Sequence, residues 1–112
     1  MTYEGVIKVA GKYSKEMKPQ EVKQRLERGE ALTILDVREN NEWESGHIPG
    51  ARHIPLGLLG QRHTELDPEK ETIVVCRSGN RSGLACEMLE SFGYKVMNMS
   101  GGMMEWTGEV EY

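Results

Sequence analysis

The sequence predicts a single α/β domain whose mainly parallel sheet, of about five strands, is covered by helices on both faces. Three observations carry this reading. Two short apolar runs, Leu32-Thr33-Ile34-Leu35-Asp36-Val37 and Ile73-Val74-Val75, are nearly continuous rather than alternating, as expected of strands buried on both sides. Around them lie stretches of helical spacing, such as Leu84, Ala85, Met88, Leu89 and Phe92, so that strands and helices alternate along the chain. The length, 112 residues, suits one domain with a core that needs no covalent staples.

Residues 1–12 are expected to form an N-terminal extension and residues 13–112 the domain. In the extension, Val6, Ile7 and Val9 lie between Gly5 and Gly11, which leaves open a short edge strand or a frayed segment. A first strand within 13–17 precedes a helix over 19–28, opened by Pro19, with Val22 and Leu26 on one face. Met17 and Val22 have the spacing of a hydrophobic staple, and Gly29 ends the helix. After the strand at 32–37 come one or two helical turns over 40–45. The loop Gly46-His47-Ile48-Pro49-Gly50 follows, then a short strand over 51–54. A helix over 56–63 would turn Leu58, Leu59 and Leu66 inward, and Asp67-Pro68 stops it. The strand from Thr72 and the helix after it lead across Gly93 to a last strand over 94–99. Gly101-Gly102 then opens a final short helix through Trp106.

Leu, Ile, Val and Phe make up only about a fifth of the chain, a low share for a folded domain. Seven Met, four Tyr and two Trp add packing material, and the apolar residues come in organised runs. A net charge of −4 gives no basis for nucleic-acid or membrane binding. No apolar run is long enough for a membrane span and the start lacks a secretory signal, so a cytoplasmic location is expected. Two cysteines do not make a disulfide framework, and a reducing compartment suits a free thiol. His47, His53 and His63 lack the close spacing of zinc ligands, so neither a metal nor another cofactor is expected.

The chemistry is concentrated in one stretch. The strand ending at Val75 runs into Cys76-Arg77-Ser78-Gly79-Asn80-Arg81-Ser82 and then into a helix. A cysteine between a strand end and a helix N-terminus lies where backbone N–H groups converge and the helix dipole favours negative charge. That is the setting of a reactive thiolate. The alternative is an inert buried cysteine. Against it stand Arg77, Ser78, Asn80 and Arg81, all polar and two of them cationic in a net acidic chain. Arg81 in a first helical turn opposes the dipole and calls for a compensating anion, which makes it a candidate substrate contact. Asp36 and Cys76 both fall at carboxyl ends of strands, where ligands bind in sheets of this kind.

Four segments, in order, resemble the rhodanese (thiosulfate sulfurtransferase) superfamily in its single-domain form. They are Leu35-Asp36-Val37-Arg38 with Glu42-Trp43, then Gly46-His47-Ile48-Pro49-Gly50-Ala51, then Cys76-Arg77-Ser78-Gly79-Asn80-Arg81-Ser82, and Gly101-Gly102 with Trp106. The resemblance covers residues 17–106 and implies a three-layer rhodanese-like fold. It also implies that the Cys76 thiolate attacks the sulfane sulfur of a donor such as thiosulfate, giving a Cys76 persulfide. Cyanide, a thiol or a partner protein then takes the sulfur. The stretch from Cys76 to Arg81 is similar to the family's six-residue cradle, whose N–H groups stabilise the persulfide and the departing anion. Arg77, Ser78, Gly79, Asn80, Arg81 and Ser82 are the implied donor-binding residues.

In the family, Asp36, Arg38, Glu42 and His47 would brace the loops around the pocket, since thiolate attack on sulfane sulfur needs no general base. A modest supporting role for Asp36 or Arg38 stays open. Two other readings remain: a module that passes the Cys76 persulfide to a dedicated protein partner, and a phosphatase or arsenate reductase on the same scaffold. Loop length counts against the latter, because cysteine phosphatases place an arginine six positions after the cysteine and here that position is Ser82. Cys86 is expected at the edge of its helix, about 130° from the centre of the apolar face. A resolving role for it would require the two sulfurs to meet across about two helical turns. Met97, Met99, Met103 and Met104 are expected as core filler, or, where exposed beside Cys76, as an adaptable rim for an acceptor protein.

Overall fold

The computed structural model describes residues 15–112. The expected extension over residues 1–12, whether edge strand or frayed segment, and residues 13 and 14 of the first strand lie outside the described residues. Five strands, β1 (Glu16–Met17), β2 (Thr33–Asp36), β3 (Arg52–His53), β4 (Thr72–Val75) and β5 (Val96–Met99), form one sheet in the order β1-β5-β4-β2-β3. Every neighbouring pair is parallel. The predicted α/β class is the one observed. β4 is central, with all four residues buried, and the register sets Asp36 beside Val75. The last residue of β2 therefore lies next to the residue that precedes Cys76.

Alternation along the strands divides the core in two, which is what places helices on both faces. Leu35, Val37, Val74, Cys76 and Val96 face α4 (Asn80–Ser91) together with Ile54, Leu59, Leu66 and Leu89. Ile34, Ile73, Val75 and Met99 face the other way, with Met17, Val22 and Ile48. Val22 lies on α1 (Pro19–Glu27), where Pro19 occupies the first turn after the N-cap Lys18. Met17 and Val22, the predicted staple pair, are both buried in this second cluster.

Several boundaries differ from expectation. The helix expected over 56–63 is broken into a 3-10 turn (Leu56–Leu58), α3 (Leu59–Arg62) and a second 3-10 turn (His63–Glu65). Gly57 and Gly60 supply little helical propensity there. Leu59 and Leu66 are buried as expected, but Leu58 is exposed. The face of α4 is also rotated from the one its large residues suggested. Leu84 and Phe92 are exposed, while Ser82, Ala85, Cys86 and Leu89 are buried. These recur at i, i+3, i+4 and i+7, so the helix turns its small side chains toward the sheet and approaches it closely. Cys86 is consequently a core residue and not a boundary one. Phe92 instead stacks one face on the ring of His63, with ring centroids 4.3 Å apart, and stays exposed on the other. Among the described residues no helix is long and apolar enough to cross a membrane.

The chain closes with α2 (Asn40–Glu44) between β2 and β3 and a 3-10 turn at Gly102–Glu105 after β5. That last turn seats directly on the cysteine loop. The N–H groups of Met103 and Met104 donate to the carbonyls of Cys76 and Arg77 at 2.8 and 2.9 Å. Gly102 makes the approach possible. Its φ is +60°, and a Cβ there would lie 2.5 Å from the carbonyl groups of Arg77 and Cys76. The obstruction is backbone, which has nowhere to go. Gly102→Ala should therefore lower stability by roughly 2 kcal/mol or more, read as a lower urea midpoint with little change in slope.

Candidate active site

Cys76 follows the last residue of β4 and is fully buried. Its Sγ accepts a hydrogen bond from the Gly79 N–H at 3.1 Å and lies 3.3 Å from the Ser82 hydroxyl. Gly79 is the N-cap of α4 with φ of +102°, a left-handed conformation that turns its N–H back onto the sulfur. The loop thus closes over Sγ from the backbone side, at the positive end of a 12-residue helix. Arg77 and Ser78 are exposed. Arg77 lines an open cleft of about 360 Å³ together with Arg38, Glu42, Ser45, Met103 and Met104.

The sequence asked for an anion beside Arg81, and the anion present is internal. Glu42 of α2 grips the guanidinium with both oxygens, at 2.6 and 2.8 Å. The same carboxylate accepts the Glu39 N–H at 2.9 Å. It therefore ties the start of α2 to the first turn of α4. The Arg81 bond holds Glu42 far below the usual carboxylate range, at about 2, and the same pair drives Arg81 upward. Among the described residues Arg77 has no ion-pair partner, so the two arginines of the loop are not equivalent.

Asp36 and Arg38 form a buried fork. Arg38 Nε and Nη2 donate to the Asp36 carboxylate at 3.0 and 2.8 Å, and Nη2 also donates to the Gly46 carbonyl at 2.8 Å. Breaking such a pair by removing one partner costs roughly 3–5 kcal/mol, because the other charge is left buried and alone. His47 and His53 join the same brace. The ring of Trp43 stacks on His47 at 3.5 Å and on His53 at 4.6 Å. His47 Nδ1 meets the Trp43 carbonyl and His53 Nε2 the Arg38 carbonyl, each at 2.8 Å. The backbone of His47 exchanges two hydrogen bonds with Glu111, at 3.0 and 2.9 Å. This C-terminal bridge was not anticipated from sequence. Among the described residues no group of three or more His, Cys, Asp or Glu side chains could hold a metal.

Sequence reasoning also missed Asn98. Its side chain is buried on β5, where Nδ2 donates to the Gly79 carbonyl at 3.1 Å and Oδ1 accepts from the Ser82 hydroxyl at 2.5 Å. A lone amide within Val96-Met97-Asn98-Met99 was the available signal, since a polar side chain in a buried strand must find partners. Of the four methionines, Met99 is core and Met97 packs against it. Met103 and Met104 line the cleft, and Met104 is 67% exposed.

Residues 18–109 match the model of the rhodanese-like domain. The chain belongs to that family. It is 41% identical over 97 residues to the putative sulfurtransferase YtwF of Bacillus subtilis, an alignment covering 87% of this chain and 94% of YtwF. It is 46% identical over 90 residues to the putative sulfur carrier protein YrkF of the same organism, covering 80% of this chain and 49% of YrkF. The chain thus spans about half the length of that relative. Among solved structures, a rhodanese-like domain protein from Staphylococcus aureus superposes with a TM-score of 0.82 at 32% identity, covering 87% of this chain and 96% of that one. The three-layer rhodanese fold inferred from four motifs is therefore the fold present.

The Glu42–Arg81 pair has a measurable signature in acid. Glu42 falls from an ordinary value of 4.5 to about 2 on folding, so its contribution is complete above the unfolded value and is lost as pH drops from about 4.5 toward 2. Glu65, tied to Arg62 and Arg52, also falls to about 2, and acid unfolding of the wild type alone does not isolate Glu42. The stability difference between wild type and Glu42→Gln should be constant near neutrality and shrink across that acidic window. Urea midpoints measured at a series of pH values check this. A difference that stays constant to low pH would mean the pair does not stabilise the fold.

Proposed function

We propose that the protein is a sulfurtransferase that carries sulfur as a Cys76 persulfide. The observation that supports this best is the size and polarity of the loop. One backbone N–H is already on Sγ, the sixth position after the cysteine holds a hydroxyl rather than a guanidinium, and the arginine at the fifth position is occupied by Glu42. A phosphoryl group needs a roomier ring of donors with an arginine free to grip its oxygens. A single sulfur needs less.

In the proposed first step, the Cys76 thiolate attacks the outer sulfur of thiosulfate or another sulfane-sulfur donor. The donor's S–S bond breaks, a Cys76 Sγ–S bond forms, and sulfite leaves with the bonding electron pair. The N–H groups of Ser78, Gly79, Asn80 and Arg81 are proposed to line the space for the terminal persulfide sulfur, which carries the negative charge. Arg77, on the cleft wall, is the cation proposed to draw in the anionic donor. Arg81 instead shapes the loop through Glu42 and adds a weaker field. Because Cys76 has no solvent exposure, a donor reaches Sγ only when the groups covering it move aside, and the cleft lined by Arg77, Met103 and Met104 is the proposed side of entry. An acceptor thiol, cyanide or protein then removes the outer sulfur and restores the thiolate. Exposed Met104 and half-buried Met103 give a deformable surface on the cleft, which favours a protein acceptor.

Incubation with thiosulfate, followed by intact mass and by turnover with cyanide, tests this reading. The expected result is a gain of one sulfur atom, absent in Cys76→Ser, with measurable turnover. Loading only from another protein's persulfide would replace free thiosulfate by a protein donor, as in a carrier module. Phosphate release from an aryl phosphate, without sulfur loading, would overturn the proposal. Arg77→Ala should raise KM for thiosulfate roughly tenfold, the loss of one charge-assisted contact. Arg81→Ala should cost more in stability than in KM.

A further inference from the structure

Around the Cys76 sulfur there is one hydrogen-bond chain whose direction is fixed. Asn98 Nδ2 donates to the Gly79 carbonyl, so the amide cannot be turned over without setting two oxygens against each other. Its Oδ1 is then held toward Ser82, and at 2.5 Å it takes the only proton the Ser82 hydroxyl has. What Ser82 presents to Cys76, 3.3 Å away, is therefore a lone pair. A thiol S–H fits that lone pair as a donor, while Gly79 N–H fills the other side of the sulfur. A thiolate does not fit it. To stabilise S⁻, the Ser82 proton must rotate off Asn98 and leave a fully buried Oδ1 without a donor.

We propose that Asn98 is a positioning residue that sets the protonation state of Cys76 through the direction of the Ser82 hydroxyl. Asn98 touches neither the sulfur nor any donor. It holds the resting cysteine as S–H, and ionisation costs the Asn98–Ser82 bond as the hydroxyl turns to the sulfur and the thiol proton passes to water. The other charged or titratable groups around the sulfur do not compete for this role. Arg81 on α4 acts on it only through its field and is paired with Glu42. Cys86, also on α4, is driven upward by burial and stays neutral. Glu105 of the last turn lies against Gly101, and Arg77 faces the cleft. The role matters for sulfur transfer only if the persulfide reading holds, but the sulfur's protonation is measurable without any sulfur donor.

The test is the thiolate ultraviolet absorbance of Cys76 at neutral pH, taken as the difference from Cys76→Ser in each background. Asn98→Ala frees the Ser82 proton and should raise the ratio of thiolate to thiol roughly tenfold. Asn98→Leu, which fills the space without a polar atom, carries the same expectation should the alanine variant not fold. Asn98→Asp keeps an acceptor toward Ser82 and should give no rise. Adding Asn98→Ala to Ser82→Ala should change nothing, because the hydroxyl that would donate is gone. A ratio unchanged or lower in both Asn98→Ala and Asn98→Leu overturns the inference. So does an equal rise in the Ser82→Ala background, since that would come from a loosened loop. A failure of thiosulfate loading in the wild type, by contrast, bears only on the function proposed above.

Discussion

The cysteine loop depends on one constraint: it leaves a strand that is buried on both faces and paired on both edges, so its own polar groups must be satisfied by whatever lies beyond the sheet's end. β2 and β5 supply the flanks of β4, and both end within a residue or two of it. The loop carbonyls of Cys76 and Arg77 are taken by the N–H groups that follow Gly102. The Gly79 carbonyl is taken by Asn98 and by the Gly83 N–H. With these acceptors filled from outside, the Gly79 N–H is left pointing inward at the sulfur. A buried backbone group without a partner would cost about as much as a lost hydrogen bond. The cradle is therefore held by its neighbours as much as by its own sequence.

A second layer holds the neighbours. Asp36 at the end of β2 pins Arg38, Arg38 pins the Gly46 carbonyl, and the Trp43, His47 and His53 rings stack beside them. Glu42 carries that frame across to the first turn of α4 through Arg81. These residue types can serve as acids and bases elsewhere. Here Asp36 and Arg38 are each buried against the other, a pairing in which removing one partner is expensive.

The elements most legible in the sequence were those whose signal is local and repeated. The apolar runs of β2 and β4 gave the sheet, Pro19 with Met17 and Val22 gave α1, and the motif around Cys76 gave the loop. What was hidden depended on distance in space. The inner face of α4 could not be read from its large residues, because a close helix–sheet contact favours Ser82, Ala85 and Cys86 over Leu84 and Phe92. The partner of Arg81 lies 39 residues away, and the Glu111 bridge to His47 crosses most of the chain. Asn98 was visible as a misplaced polar residue, but its two partners were not.

Charge at the cleft follows from the same pairings. Arg38 is neutralised by Asp36 and Arg81 by Glu42, each through a two-oxygen fork. Asp36 is the last residue of β2 and Glu42 lies in the first turn of α2, so each fork is anchored on a fixed element. Arg77 stands apart on the cleft wall, exposed and free to follow a ligand. In a chain of net charge −4, Arg77 is, among the described residues, the arginine of the cysteine loop left without an ion-pair partner, and an uncompensated cation attracts anions from solvent. A second free cation would add affinity for any anion, phosphate included. Committing Arg81 to Glu42 leaves Arg77 as the loop cation that faces the cleft, while the Gly79 N–H is the donor already turned onto the sulfur.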